Sequence, residues 1–153
     1  MIFFLLFAAV FAIEVNLMLP LDAVTSQGVN GYDQFKRDFQ KLKSAGLSGV
    51  MSDIWWGLVE TSSQSYNWEG YKSLVALVKE CGLHFQAVMS FHKCGGNVGD
   101  SVTIEIPSWV RSAGSSAGAF FTDPEGNVNN EYISFGADGV SISGRTPIQL
   151  WCW

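Results

Sequence analysis

Positive charge is scarce in this chain. Nine Lys and Arg stand against fourteen Asp and Glu over 153 positions, for a net charge of −5. No basic run exceeds Lys36-Arg37, and the carboxylates are scattered rather than gathered in a tail. A nucleic-acid partner needs a clustered basic face to neutralise phosphates, so that class is excluded. Cysteine is thin as well. Cys81, Cys94 and Cys152 are odd in number and lie at no metal-ligand spacing. Neither a disulfide framework nor a metal centre is indicated, and at least one free thiol is expected.

Long apolar runs are missing after residue 12. The one that exists, MIFFLLFAAVFA at 1–12, is shorter than the roughly 20 residues a membrane-spanning helix needs. A signal-peptide core with cleavage after Val10-Phe11-Ala12 fits that length, although the basic n-region is absent. The expectation is a secreted or lumenal protein, residues 13–153, with no membrane association in its mature form. A buried N-terminal strand or a misplaced start codon is the alternative.

What the chain does have is apolar and aromatic mass: 48% hydrophobic residues, with six Trp and four Tyr. It has enough to bury a substantial core. The rings suit partners with flat, partly apolar faces such as sugars, or equally an ordinary aromatic core.

Periodicity organises the first hundred residues. IEVNLMLP (13–20) alternates like a strand and ends at Pro20. After a turn-rich stretch through Gly31, Tyr32, Phe35, Phe39 and Leu42 recur at helical spacing, closed by Gly46. GVMSDIWW (49–56) is a second strand. Asn67 can cap a helix carrying Tyr71, Leu74, Val75, Leu77, Val78 and Cys81, with Gly82 ending it. HFQAVMSFH (84–92) is a third strand. Successive strand-helix units imply parallel strands. Beyond Gly99 a helix starts at Pro107-Ser108-Trp109, and residues 119–143 form a long excursion with one hairpin. No fourth strand follows, and a closed eight-stranded barrel needs about 250 residues. The fold class is α/β, the front portion of something larger.

Ligands of parallel α/β proteins meet the C-terminal ends of the strands. Those ends deliver Asp22, Asp53, Trp55, Trp56 and His92 to one rim. A carboxylate beside an aromatic plate grips a sugar, since the carboxylate accepts bonds from neighbouring hydroxyls while the ring covers the apolar face. Plainer roles stand beside this one. Asp22 can simply cap a turn, His92 can be structural, and one of the two tryptophans belongs to the core because they point to opposite sides. Asp53, inside an apolar strand, must find partners or face a cavity. His84, at the other end of its strand, is structural. The loop Gly95-Gly96-Asn97-Val98-Gly99 meets neither the phosphate-loop nor the dinucleotide pattern. It reads as a plain long connection or as a mobile flap tipped by Val98. A phosphate- or nucleotide-binding domain lacks its Lys-Ser/Thr pair.

Four segments together carry a resemblance: LPLDAV (19–24), GVMSDIWWGLVE (49–60), FHKCGGNVGD (91–100) and IPSWV (106–110). They resemble the β-amylases of glycoside hydrolase family 14, which release maltose from the non-reducing ends of starch. The resemblance runs from about Asn16 to Leu150. It implies a (β/α)8 TIM barrel, incomplete here, with the first three strand-helix units and the long third loop. It also implies that Asp53, His92 and Asp100 bind a glucose unit, Asp100 arriving on a closing flap, with Cys94 a nearby thiol and not a nucleophile. No cofactor is implied, and the partner is an α-1,4-glucan.

The family reaction inverts the anomeric centre with two carboxyl groups about 6.5–9.5 Å apart. The Gly-Glu-Leu-Arg-Tyr-Pro-Ser-Tyr type motif of the general acid is absent from the 153 residues, as is the context of the general base. None of Glu14, Glu60, Glu69, Glu80, Glu105, Glu125 or Glu131 stands in a matching context. The closing Trp151-Cys152-Trp153 also departs from the family pattern, as in a truncated or frame-shifted gene product. The expectation is therefore β-amylase-like chemistry for the family, with no catalytic residues in this chain. The alternative is a non-catalytic glucan-binding remnant.

Overall fold

The computed structural model describes residues 13–152, so the signal-peptide reading of residues 1–12 lies outside the described residues. Strand β1 (Asn16–Met18) is shorter than the expected run from 13 to 20. Ile13 and Val15 stay exposed ahead of it, while Leu19 extends the ladder by one bond, its N–H donating to the Met51 carbonyl at 2.8 Å. The turn-rich stretch that follows contains a small antiparallel hairpin, β2 (Val24–Thr25) and β3 (Gly28–Val29). Burial of Val24 anchors it to the core.

Helix α1 (Tyr32–Ser44) buries Phe39, on which Phe35 stacks at 5.4 Å, whereas Tyr32 remains 40% exposed. Gly46, at φ +90, ends it as expected, and the Leu47 N–H then caps the Leu42 carbonyl. Strand β4 (Gly49–Trp55) stops one residue before the expected end, because Trp56 opens a single helical turn, α2 (Trp56–Val59). The N-cap of helix α3 (Glu69–Glu80) is Trp68 and not the expected Asn67, although Asn67, one residue earlier, accepts the Glu69 N–H through its Oδ1 at 3.1 Å. Its buried face is Tyr71, Leu74, Leu77 and Val78, while Val75 faces out.

Strand β5 (His84–Ser90) ends two residues before His92. Phe91 leaves the strand to enter an aromatic cluster, 5.7 Å edge-on from Trp56 and stacked at 4.9 Å on Trp151. Helix α4 (Ser108–Ala117) starts after Pro107, as expected. The excursion beyond it carries one hairpin, β6 (Phe120–Thr122) with β7 (Val128–Ile133), turned by Asp123, whose carboxylate accepts the Asn127 N–H at 2.7 Å. A single turn, α5 (Pro147–Leu150), follows.

The main sheet has the order β1-β4-β5, all parallel, with Asn16, Gly49 and His84 in register. Residues alternate between its two faces. One face places Val50, Ile54 and Phe85 against Phe39, Leu74, Leu77 and Val78 of the helices. The other carries Met18, Met51, Asp53, Gln86, Val88 and Ser90, and no layer covers it among the described residues. Met18 there is 41% exposed. A parallel sheet normally buries both faces, so this one is the inner wall of a barrel of which the chain supplies three strands. A second core surrounds Trp56 with Ile106, Val110, Phe120, Ile133, Ile142 and Leu150. It fastens the excursion to the rim of the sheet.

Candidate functional site

Asp53 sits near the C-terminal end of the central strand, on the uncovered face and only half buried. One carboxylate oxygen, Oδ1, accepts the Ser90 hydroxyl from the neighbouring strand at 2.6 Å, a short charge-assisted bond that fixes its rotamer. Among the described residues Oδ2 takes no hydrogen bond, so one oxygen remains for a ligand. Two residues further on, Trp55 is held at both ends. Its backbone N–H donates to the Tyr71 hydroxyl at 2.9 Å and its indole N–H to the Leu21 carbonyl at 2.8 Å. Burial pushes the Tyr71 phenol up to about 12, which keeps it neutral as that acceptor.

His92 lies against the ring of Trp55, edge-on at 5.5 Å, and its own side chain is exposed. It also borders a recess of about 310 Å³ formed with Phe91, Tyr132 and Trp151. Neither tryptophan is free of the core, since Trp55 and Trp56 are 3% and 0% exposed. The sequence expectation of a core role for just one of them understated how deeply both are seated.

The glycine-rich loop springs from a clip. Cys94 and Ile104 exchange two backbone hydrogen bonds, at 2.8 and 3.0 Å, and residues 95–103 loop out between them. Gly95, Gly96 and Gly99 have φ near +100°, but they are not equivalent hinges. A Cβ on Gly95 would meet Thr103 Oγ1 at 2.6 Å, whereas Gly96 and Gly99 face open space. Val98 is the fully exposed tip. Asp100 is tied within the loop, its Oδ2 accepting both the backbone N–H of Asn97 at 3.0 Å and the Asn97 amide at 3.1 Å.

Cys94 is buried under this loop. Burial pushes its thiol up, and the charges of Asp100 and Asp53 push it further. A thiol so disposed favours its protonated form.

Asp22 does not join them. Its Oδ2 accepts from Asn30 at 2.9 Å, and it lines a separate cleft in which Asp53, His92 and Asp100 take no part. The largest polar feature that sequence reasoning missed is Glu60. Fully buried, it accepts the Trp56 indole N–H at 2.8 Å, the Gln64 N–H at 2.8 Å and the Arg145 guanidinium at 2.7 Å. Arg145 also stacks over Trp109. Burial, the largest single influence, lowers the pKa of Arg145, but the hydrogen bonds and charges of Glu60 and Tyr66 together outweigh it and leave it raised. The available signal was a carboxylate ending the apolar run Trp55 to Val59, where a charge needs a partner.

The model of Glycosyl hydrolase family 14 matches residues 16–152. The chain belongs to that family. It is 51% identical over 143 residues to "Beta-amylase 1, chloroplastic" of Arabidopsis thaliana, a match covering 91% of this chain and 25% of the relative. It is 46% identical to a beta-amylase of Trifolium repens, again over 91% of this chain and 29% of the relative. Among solved structures, the catalytic domain of beta-amylase from Paenibacillus polymyxa superposes with a TM-score of 0.68 at 38% identity, covering 79% of this chain and 28% of that one. The family 14 chain described here thus spans between a quarter and a third of its relatives' length.

Proposed function

We propose that this family 14 chain forms the glucose-gripping part of a β-amylase, an enzyme that hydrolyses α-1,4-glucosidic bonds of starch-type polysaccharides and releases maltose with inversion. The observation that carries the reading is Asp53. It is a carboxylate near the C-terminal end of a barrel strand, fixed by Ser90 through one oxygen and open at the other, beside the immobilised ring of Trp55. The open oxygen accepts sugar hydroxyls. His92, on the edge of Trp55, and Asp100, on the loop over Cys94, are the further sugar contacts in this reading. Gly96 and Gly99, in open space, let Asp100 swing toward the sugar, while the Cys94–Ile104 clip holds the base of the loop.

Bond cleavage with inversion needs one carboxylic acid to protonate the leaving oxygen and a second carboxylate to activate water from the opposite face. On the uncovered face Asp53 is engaged as a binding group, and Glu60, the one fully buried glutamate, is consumed by Trp56, Gln64 and Arg145. The 153-residue polypeptide therefore binds without cutting. Incubated with soluble starch, the purified chain is expected to release no maltose above a blank, by chromatographic product analysis. Sustained maltose release would overturn this division of labour. A non-catalytic glucan-binding protein is the second reading, favoured by the same engagement of Glu60.

A further inference from the structure

Asp22, left out of the Asp53 site, lines a cleft of about 520 Å³ between the β2–β3 hairpin, α2 and the segment that leads from the glycine-rich loop into α4. That volume is in the range of small-molecule sites. Its floor is aliphatic, with Val24, Leu58 and Ile106. Its rim is polar, with Asp22, Ser26, Thr61, Glu105 and Arg111. Two of these groups have bonding capacity left over. Asp22 gives only Oδ2 to Asn30, and Oδ1 makes no hydrogen bond among the described residues. Arg111 gives only Nη1 to Glu105, at 3.3 Å.

The charges select the ligand. Asp22 and Glu105 face any anion with carboxylates, and the Arg111 guanidinium, although it is paired with Glu105 at 3.3 Å, still faces any cation. A neutral ligand with several hydroxyls satisfies both, donating to Asp22 Oδ1 and accepting from Arg111, while its apolar face lies on the aliphatic floor. No aromatic ring lines the cleft, so a sugar is held there by its hydroxyls and the aliphatic floor without stacking, and binding is correspondingly weak. The cleft wall from Val102 to Glu105 is the back of the loop stem, where Gly95 packs on Thr103 and the Cys94 thiol meets the Val102 carbonyl.

We propose that this cleft is an accessory saccharide site, separate from the Asp53 rim, that takes a short neutral α-linked glucose oligosaccharide. The choice of sugar rests on the glucan reading of the Asp53 rim; the existence of a polyol site does not. The experiment is photolabelling of the full 153-residue chain with a diazirine-bearing maltoside, with and without excess maltose, and peptide mapping by mass spectrometry. Maltose-competed label is expected on residues 22–30 and 102–111. It should persist in Asp53→Ala and fall about tenfold in Ser26→Trp, which fills the cleft from an exposed position, about 1.4 kcal/mol. Asp22→Asn, nearly isosteric, should lower it with the fold intact. Competed label confined to residues 86–100, no competed label at all, or cleft label unchanged by both cleft variants would overturn the proposal. Failure of the Asp53 reading has a different signature, which is label at residues 86–100 that Asp53→Ala leaves untouched.

Discussion

Cys94 reports on the site at the scale of one residue. Its pKa is raised, by burial first and then by Asp100 and Asp53, so the folded state favours the protonated thiol. The stability this contributes is complete below the ordinary thiol value of 9.0 and is lost as pH rises through the higher folded value. At neutral pH, iodoacetamide should therefore modify the exposed Cys152 well before Cys94, with Cys94 catching up only in strongly alkaline solution. Equal rates at neutral pH, read by peptide mass spectrometry, would contradict the burial and charge argument.

Glu60 makes a complementary case. Removing one partner of a buried ion pair strands the other, so Glu60→Ala should cost about 3–5 kcal/mol in denaturant unfolding. Arg145→Met combined with Glu60→Gln should recover part of that loss, because no isolated buried charge is left. If the double variant were as unstable as Glu60→Ala, the pair would not be the source of the effect.

At the scale of elements, glycines separate close approach from conformational freedom. A Cβ on Gly57 would lie 1.8 Å from the Glu105 carbonyl oxygen, so α2 and the segment before α4 meet backbone to backbone. Gly57→Ala and Gly95→Ala should each destabilise by more than Gly96→Ala, which adds only the strain of a positive φ, about 1–3 kcal/mol. Chemical denaturation of the three variants checks the order. A larger loss for Gly96→Ala would show that the loop and not its clip is tightly packed.

The strands, both main helices and the excursion hairpin were legible in sequence, because period-2 and period-3.6 patterns are local and their ends carry Pro20, Gly46, Asn67 and Gly82. The strand ends were not. Trp56 and Phe91 leave their strands to fill the second core, and that long-range packing leaves no trace in local periodicity. Asp53 could be recognised as a carboxylate within an apolar strand. The Glu60–Arg145 pair, separated by 85 positions, could not be matched from spacing. The exclusion of Asp22 from the rim likewise depended on a hairpin too short to show a pattern.

At the scale of the whole molecule, two faces of one sheet have unequal fates. Helices α1 and α3 cover one over the central strand, with Leu17 and Met89 exposed at its edges; among the described residues Met18, Met51 and Val88 line the other without a covering layer, and β1 and β5 each pair on one side only. This is the arrangement expected of three adjacent barrel strands. It leaves the Asp53 oxygen facing the space that a barrel encloses. In the function proposed above, this space holds glucose units through Asp53. The most direct test is the maltose affinity of the wild-type chain and Asp53→Asn measured side by side by calorimetry, with circular dichroism showing the same fold for both. Affinity is expected to be at least about tenfold weaker in Asp53→Asn, about 1.4 kcal/mol. Equal affinities in two equally folded proteins would contradict it.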